Sequence, residues 1–272
     1  MFQSISFAGL KNSVRFGYAA ELSFFKERKN LEFKPGLNIL FGPNGCGKST
    51  VLRMLAGNMC AEQGGVSTVT EASIRNAVDM MANISNPRSK LKHSIGLKIA
   101  HDAQPIVFCD PRDRVGLAGG HFDNDFIQQG LVEKLTNSRS SHGEAVLTRA
   151  STALAVLGGR AQFPAVVDYR VNRKAMNSTW TSALDLVEAA MRASIARGQP
   201  SVLLDEPEAN CSLVWQSRMW QMLADEAVAA NFQILVATHS PYALGIKHAN
   251  YIEFEPGYRE EAEAGLRARF VG

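Results

Sequence analysis

A glycine-rich stretch between an apolar run and a helical pattern constrains this sequence more than any other feature. Residues 42–50 read GPNGCGKST and satisfy the pattern GxxxxGK[ST] in full. They follow the short apolar run 37–41 and precede apolar residues at helical spacing from Val51 to Met59. Because glycine permits tight turns, the N–H groups of such a loop can point inward at phosphates. This phosphate loop (residues 42–50) predicts a strand–loop–helix unit that binds a nucleoside triphosphate.

Several positions of the phosphate loop have an expected part in binding. Lys48 is expected to reach the β- and γ-phosphates, and the Ser49 hydroxyl to ligate Mg²⁺. The helix that begins near Ser49 adds the positive end of its dipole. Cys46 stands at a variable position, where a small filler is the simpler interpretation. The expected ATP-binding residues are Asn44, Gly45, Cys46, Gly47, Lys48, Ser49 and Thr50.

Two later apolar runs end in polar side chains that suit hydrolysis. The run 201–204 leads into Asp205 and Glu206, and the run 234–237 leads into Thr238 and His239. Because the carboxyl ends of parallel strands converge on the ligand crevice, Asp205 is expected to ligate Mg²⁺. Glu206 is expected to polarise the attacking water, and His239 to contact the γ-phosphate or that water. An acidic surface turn and an ordinary loop histidine are the alternatives, which the upstream phosphate loop disfavours.

The alternation of strand and helix patterns predicts the fold class. We expect an α/β fold with a mostly parallel central sheet, flanking helices and an antiparallel β N-terminal part. Residues 1–41 read as β-structure, 212–229 as one helix and 251–254 as a strand. With 272 residues, 46% hydrophobic and 20% charged, the composition excludes a disordered tail, a collagenous rod and a long coiled coil.

The sequence also predicts a cytoplasmic protein without membrane insertion. No run of apolar residues is long enough to span a bilayer, and the N-terminus lacks the apolar region of a secretion signal. The cysteines at 46, 60, 109 and 211 are far apart and form no CxxC pair, which favours reduced thiols.

Together the three segments resemble the ABC-type ATPase superfamily. The matching elements are GPNGCGKST, VLLDEPEAN and ILVATHSP, in that order. The segments DEPEA and ATHSP are similar to those of RecF/SMC-like small soluble ATPases. These are AAA-family ATP-binding proteins without a coiled-coil arm. The resemblance covers about 1–60 and 136–255. It implies a P-loop NTPase fold of ABC type that binds ATP and Mg²⁺.

The resemblance further implies a signature sequence ahead of the acidic strand. The tetrapeptide Ser141-His142-Gly143-Glu144 matches the family's S-G-G-Q, with His142 and Glu144 as departures. In the family this segment binds the γ-phosphate held by the opposite subunit. The resemblance therefore implies a head-to-tail homodimer formed on ATP, with Ser141, Gly143 and Glu144 in the trans contact. A serine followed by x-x-Glu is also a capping box, and the two interpretations are compatible.

Three family features are incomplete here. Where the family has a glutamine that contacts Mg²⁺, Asp110 follows the run 106–108 and is a further candidate metal ligand, with weaker alternatives at Gln104, Gln128 and Gln129. The segment 209–212 lacks the aspartate of the family's dimer loop. For stacking on adenine the upstream candidates are Phe16, Tyr18, Phe24 and Phe25, each of which is expected to pack in the core instead.

The chain is expected to form a single ATPase domain over 1–272. It would include a helical and β subregion at 61–135 and an insertion at 158–198, with no room for a coiled-coil arm. Basic residues concentrate in 88–98 and 160–174, where they could contact a nucleic-acid backbone or form an ordinary solvated surface.

The leading functional hypothesis is a soluble ATPase that dimerises on ATP and drives or gates an effector or partner protein, in DNA maintenance or anti-phage defence. The alternatives are the ATPase subunit of a membrane transporter and a nucleotide-gated switch with very slow hydrolysis. A small-molecule kinase is disfavoured, because an adjacent Asp-Glu pair and a strand-end histidine suit water activation.

Overall fold

A computed structural model describes residues 1–12, 16–58, 65–67, 98–101, 106–110, 154, 157–159, 201–209 and 211–270. The strands are β1 Phe2–Ser6, β2 Asn30–Glu32, β3 Leu37–Phe41, β4 Gly65–Ser67, β5 Lys98–His101, β6 Ile106–Asp110, β7 Ser201–Asp205, β8 Gln233–Thr238 and β9 Asn250–Glu253. The helices are α1 Ser23–Glu27, α2 Lys48–Asn58, α3 Leu213–Leu223, α4 Glu226–Asn231 and α5 Tyr258–Phe270, with 3-10 turns at Leu10–Asn12, Gly17–Glu21 and Pro241–Ala243.

The central sheet places three strand ends side by side. Within the described residues its order is β4-β6-β7-β8-β3-β9, parallel from β6 to β9, with β4 antiparallel at the edge. In the register, Phe41 of β3 pairs with Thr238, and Asp205 of β7 pairs with Ala237. The end of β8 therefore lies between the phosphate loop and the acidic pair.

The central strands form because their apolar runs are buried on both faces. Every residue of β3, β7 and β8 is buried, as expected for a parallel sheet covered on each side. Helix α2 lies against β7 and β8 and buries Val51, Leu52 and Leu55. The predicted α/β fold class is confirmed: a mostly parallel central sheet with flanking helices.

The N-terminal part differs from the prediction of β-structure alone. A small antiparallel sheet, β2-β1-β5, is present as expected. Helix α1 and the turn Gly17–Glu21 interrupt it, because Phe24 and Phe25 pack edge-on against Phe7 in a buried aromatic cluster. Helical geometry places both rings in this cluster, so tertiary packing outweighs the strand preference of aromatic residues.

The single helix predicted over 212–229 is two helices, α3 and α4. Ala224 ends α3, and the Asp225 side chain caps α4 by accepting the Ala227 N–H at 2.8 Å. An aspartate at a helix N-cap satisfies an otherwise unpaired donor, which explains the break. Ser212 caps α3 in the same way through the Trp215 N–H.

Candidate nucleotide-binding site

The phosphate loop has a backbone that only glycine accommodates. Gly45 and Gly47 adopt φ of +79° and +108°, in the left-handed region. A Cβ on Gly47 would lie 2.6 Å from Cε2 of Phe25, so the buried aromatic cluster packs directly against the loop. Asn44 and Gly45 are exposed at the tip, and α2 begins at Lys48. The local sequence thus fixes a turn of the kind that cradles phosphates.

Lys48 lies folded onto this loop. It is only 4% exposed, and its Nζ donates to the carbonyls of Gly42 and Pro43, each at 2.8 Å. A buried ammonium needs such partners, because an unpaired charge in the interior is costly. The contacts hold the cation at the base of the loop, within reach of any group that the loop binds.

Cys46 packs beneath the loop as a thiol. Its Sγ lies 3.9 Å from the Lys48 Nζ, and a Cβ on Gly42 would approach it to 3.2 Å. Burial raises the pKa of the Cys46 thiol, although the nearby Lys48 charge opposes this. The neutral, half-buried thiol fits the interpretation of a small filler.

Ser49 and Asp205 meet across the sheet. The Ser49 hydroxyl donates to Oδ1 of the fully buried Asp205 at 2.7 Å, although 156 residues separate them. A hydroxyl and a carboxylate are the oxygen ligands that Mg²⁺ prefers, and its remaining positions are commonly filled by waters and phosphate oxygens. The two predicted metal ligands therefore fit the ion. Asp110 ends β6, but its side chain lies outside the described part of the chain.

Glu206 and His239 are also brought together. The Nδ1 atom of His239 lies 3.5 Å from Oε1 of Glu206, and the histidine side chain is 45% exposed. Glu206 has φ of +46°, the only positive value for a non-glycine among the described residues, and its N–H donates to the Ala237 carbonyl at 2.9 Å. Such strained backbones are found mostly at functional sites, where the surrounding structure holds them in place.

Glu208 is a site residue that the sequence interpretation missed. It is 5% exposed and accepts a hydrogen bond at Oε1 from the Thr238 hydroxyl. Burial, with smaller contributions from Glu206 and Asp205, raises the pKa of this carboxyl to about 7. The second glutamate of DEPEA was a sequence signal, but its burial depends on the pairing of β7 with β8.

The upstream aromatic residues divide into two groups. Core packing is confirmed for Phe16, Phe24 and Phe25, which are buried. It is wrong for Tyr18, which is 60% exposed and whose hydroxyl lies 2.9 Å from the Oγ1 of Thr50. An aromatic ring is therefore exposed beside the phosphate loop.

Other predicted features lie outside the described residues. These are the signature residues Ser141, Gly143 and Glu144, nearly all of the subregion 61–135 and of the insertion 158–198, and the basic segments 88–97 and 160–174. None of the helices in the described ranges is long and apolar enough to cross a membrane.

One segment of the chain is similar to a known protein family. Residues 22–139 match the family profile described as an AAA domain, whereas no curated protein matches the sequence. One similar solved structure is the dimeric structure of MJ0796, a bacterial ABC transporter cassette, with 16% identity and a TM-score of 0.32 over 83% of this chain and 84% of that one. Another is cbiO1 from Clostridium perfringens, part of the ABC transporter complex cbiONQ, with 17% identity and a TM-score of 0.33 over 89% and 87%.

The AAA-domain match includes the phosphate loop, whose structural setting is distinctive. A buried parallel strand, a glycine-shaped phosphate loop and helix α2 follow one another, and an acidic strand ends beside them. These features are those of a P-loop site for a phosphate-bearing ligand.

Proposed function

We propose that this protein binds ATP with Mg²⁺ and hydrolyses it. The observation that carries the proposal is the contact between Ser49 and Asp205, which joins the phosphate loop to the acidic strand end. A strand–loop–helix unit alone would support phosphate binding only. The buried carboxylate adds a metal ligand, and Glu206 follows it with a second acid.

Binding would use groups that the fold already holds in place. The loop N–H groups and the α2 N-terminus would bind the phosphates. Lys48 would exchange the Gly42 and Pro43 carbonyls, 2.8 Å away, for phosphate oxygens. Ser49 and Asp205 would hold Mg²⁺, which neutralises phosphate charge when bound. Tyr18, exposed beside Thr50, is our candidate for contact with the base.

Hydrolysis would depend on Glu206 and His239. Glu206 is the candidate to orient the attacking water and accept its proton, because it directly follows the metal-ligating carboxylate. His239 lies 3.5 Å from it and is exposed enough to meet the γ-phosphate or the same water. Together the two side chains would position the nucleophile, which is a main contribution of the protein to phosphoryl transfer.

Phosphate release from ATP tests this proposal. We expect the wild type to release phosphate and to stop when Mg²⁺ is chelated, and Glu206→Gln to be slower by about 100-fold or more. Glu255→Gln, which changes an exposed glutamate after β9, is the matched control and should keep the wild-type rate. Equal rates for the wild type and Glu206→Gln would contradict the catalytic assignment.

We also propose that ATP joins two copies of the chain. The proposal is supported by the signature-like segment 141–144 and by the exposed apolar residues Leu213 and Val214, which follow the segment 209–212. Glu206→Gln with ATP should give a dimer by light scattering, because slow hydrolysis preserves the bridging nucleotide. A monomer at every concentration would contradict the dimer.

The ATP-dependent dimer would drive or gate an effector protein. The same slow variant provides the test, because it should accumulate the ATP-bound state. Affinity purification of Glu206→Gln with ATP, compared with ADP, should retain the effector only with ATP. Equal recovery in the two nucleotides would contradict nucleotide gating, and co-purified nucleic acid would identify the role of the segments 88–98 and 160–174.

A further inference from the structure

Close to the two candidate catalytic residues lies a buried carboxyl, that of Glu208, which follows Glu206 by two residues and bonds to the neighbour of His239. Glu208 is almost fully buried, and its Oε2 has no hydrogen-bond partner among the described residues. Burying a carboxyl costs free energy unless it is fully hydrogen-bonded, so packing alone does not account for a glutamate here. Its Oε1, by contrast, has a defined partner in Thr238.

Thr238 connects this carboxyl to the backbone around the histidine. It is the last residue of β8, and its hydroxyl donates to Glu208 while accepting the Ser240 N–H at 2.8 Å. Thr238 directly precedes His239, and Ser240 directly follows it, so the hydroxyl bridges the two neighbours of the histidine. The Glu208 acceptor therefore fixes the direction of the Thr238 hydroxyl, and the hydroxyl in turn fixes the turn that carries the imidazole.

Further contacts close a ring around the same point. The Glu206 N–H donates to Ala237 at 2.9 Å, and the Ala209 N–H donates to the Glu206 carbonyl at 3.0 Å, which forms the turn that holds Glu208. The ring is completed by the 3.5 Å approach of His239 to Glu206. Removing the hydrogen bond between Glu208 and Thr238 would open the ring while leaving its two backbone hydrogen bonds intact.

We propose that Glu208 is a positioning residue that acts through the Thr238 hydroxyl to hold His239 against Glu206. The proposal rests on the proposed ATP hydrolysis for its kinetic consequence. Its structural consequence, the orientation of His239, does not depend on turnover. The two consequences can therefore be measured separately.

The kinetic test removes the hydrogen bond from each end. Thr238→Val deletes the hydroxyl at nearly constant shape, and Glu208→Met deletes the acceptor at similar length, whereas Thr238→Ser keeps the hydroxyl. We expect kcat to fall about 10-fold in the first two, with KM within about 2-fold, and Thr238→Ser to stay near the wild type. In a His239→Ala background, Thr238→Val should change kcat by less than about 2-fold. A full 10-fold loss in that background would overturn the proposal.

The structural test uses no ATP. In protein labelled with ¹³C at histidine Cε1, the His239 resonance is identified by its loss in His239→Ala, and His248 serves as an internal reference. We expect Thr238→Val and Glu208→Met to shift the His239 resonance and leave that of His248 in place. An unmoved His239 resonance in both folded variants would overturn the proposal. Absence of wild-type turnover together with a shifted resonance would instead refute the proposed function alone.

Discussion

The two halves of the site are built in different ways. The phosphate loop obtains its shape from neighbouring residues, since Gly45 and Gly47 form the turn and Lys48 bonds the carbonyls of its own loop. The acid–histidine edge, residues 206–208 and 238–240, depends instead on contacts between the ends of β7 and β8. Nucleotide affinity should therefore depend mainly on the loop and the groups that contact it, and turnover should depend on the pairing of the β7 and β8 ends.

The largest effect is expected for Lys48→Ala. It removes the cation that would bind the phosphates through charge-assisted hydrogen bonds, each worth about 1.5–3 kcal/mol. We predict that the Kd for a fluorescent ATP analogue rises by at least about 100-fold, while Lys34→Ala, at an exposed lysine before β3, leaves it unchanged. An unchanged Kd for Lys48→Ala would show that Lys48 of the phosphate loop does not bind the nucleotide.

Gly47→Ala tests whether close packing shapes the loop. The added Cβ meets Phe25 at 2.6 Å in a backbone with φ of +108°, whereas Gly245 has φ of +78° and open space around it. We predict a loss of about 2–4 kcal/mol in the free energy of unfolding for Gly47→Ala and about 1–2 kcal/mol for Gly245→Ala, measured by urea denaturation. Equal losses would show that the aromatic cluster does not constrain the loop.

At the acid–histidine edge, Glu208 should make stability depend on pH. Its carboxyl pKa is about 7 in the folded protein against an ordinary value of 4.5, so the folded state binds this proton more tightly than the unfolded state. Stability is therefore lost as the pH rises from 4.5 to 7.

Comparison with Glu208→Gln isolates this effect. Between pH 5 and pH 8 the free energy of unfolding should shift by about 2–3 kcal/mol in favour of the variant. Glu255→Gln should show no such shift. A constant difference between Glu208→Gln and the wild type across this range would mean that the carboxyl is not buried as described.

The smallest effect is expected at Tyr18, where the binding half meets the N-terminal turn. Stacking of a base on an aromatic ring is worth about 1–3 kcal/mol. We predict that Tyr18→Ala raises the Kd about 10-fold, while Tyr18→Phe, which loses only the contact to Thr50, stays within about 3-fold. Similar values for the two variants would assign the effect to the hydroxyl and not to the ring.

The same contrast explains what the sequence could predict. The loop motif and the buried runs were sufficient for β3, α2, β7 and β8, and parallel topology was sufficient to bring Asp205 to Ser49. The burial of Glu208 was not predictable, because it requires the register that pairs Asp205 with Ala237.

Two further differences between prediction and structure have other causes. Helix α1 and the exposure of Tyr18 depend on how the N-terminal aromatics pack against Phe7 and the loop, which no periodicity in residues 1–41 reveals. The break between α3 and α4 had a local signal in Asp225, whose capping role becomes evident only when the helix ends at Ala224.

The separation of binding from chemistry is tested most directly by measuring both on one preparation of Glu206→Gln. The Kd for ATP and the single-turnover rate of bound ATP would be compared with those of the wild type at saturating Mg²⁺. We predict a Kd within about 3-fold of the wild type and a rate lower by about 100-fold or more. A rate that stays at the wild-type value, or a Kd that rises in proportion to the loss of rate, would contradict the division of the site into a binding half and a catalytic half.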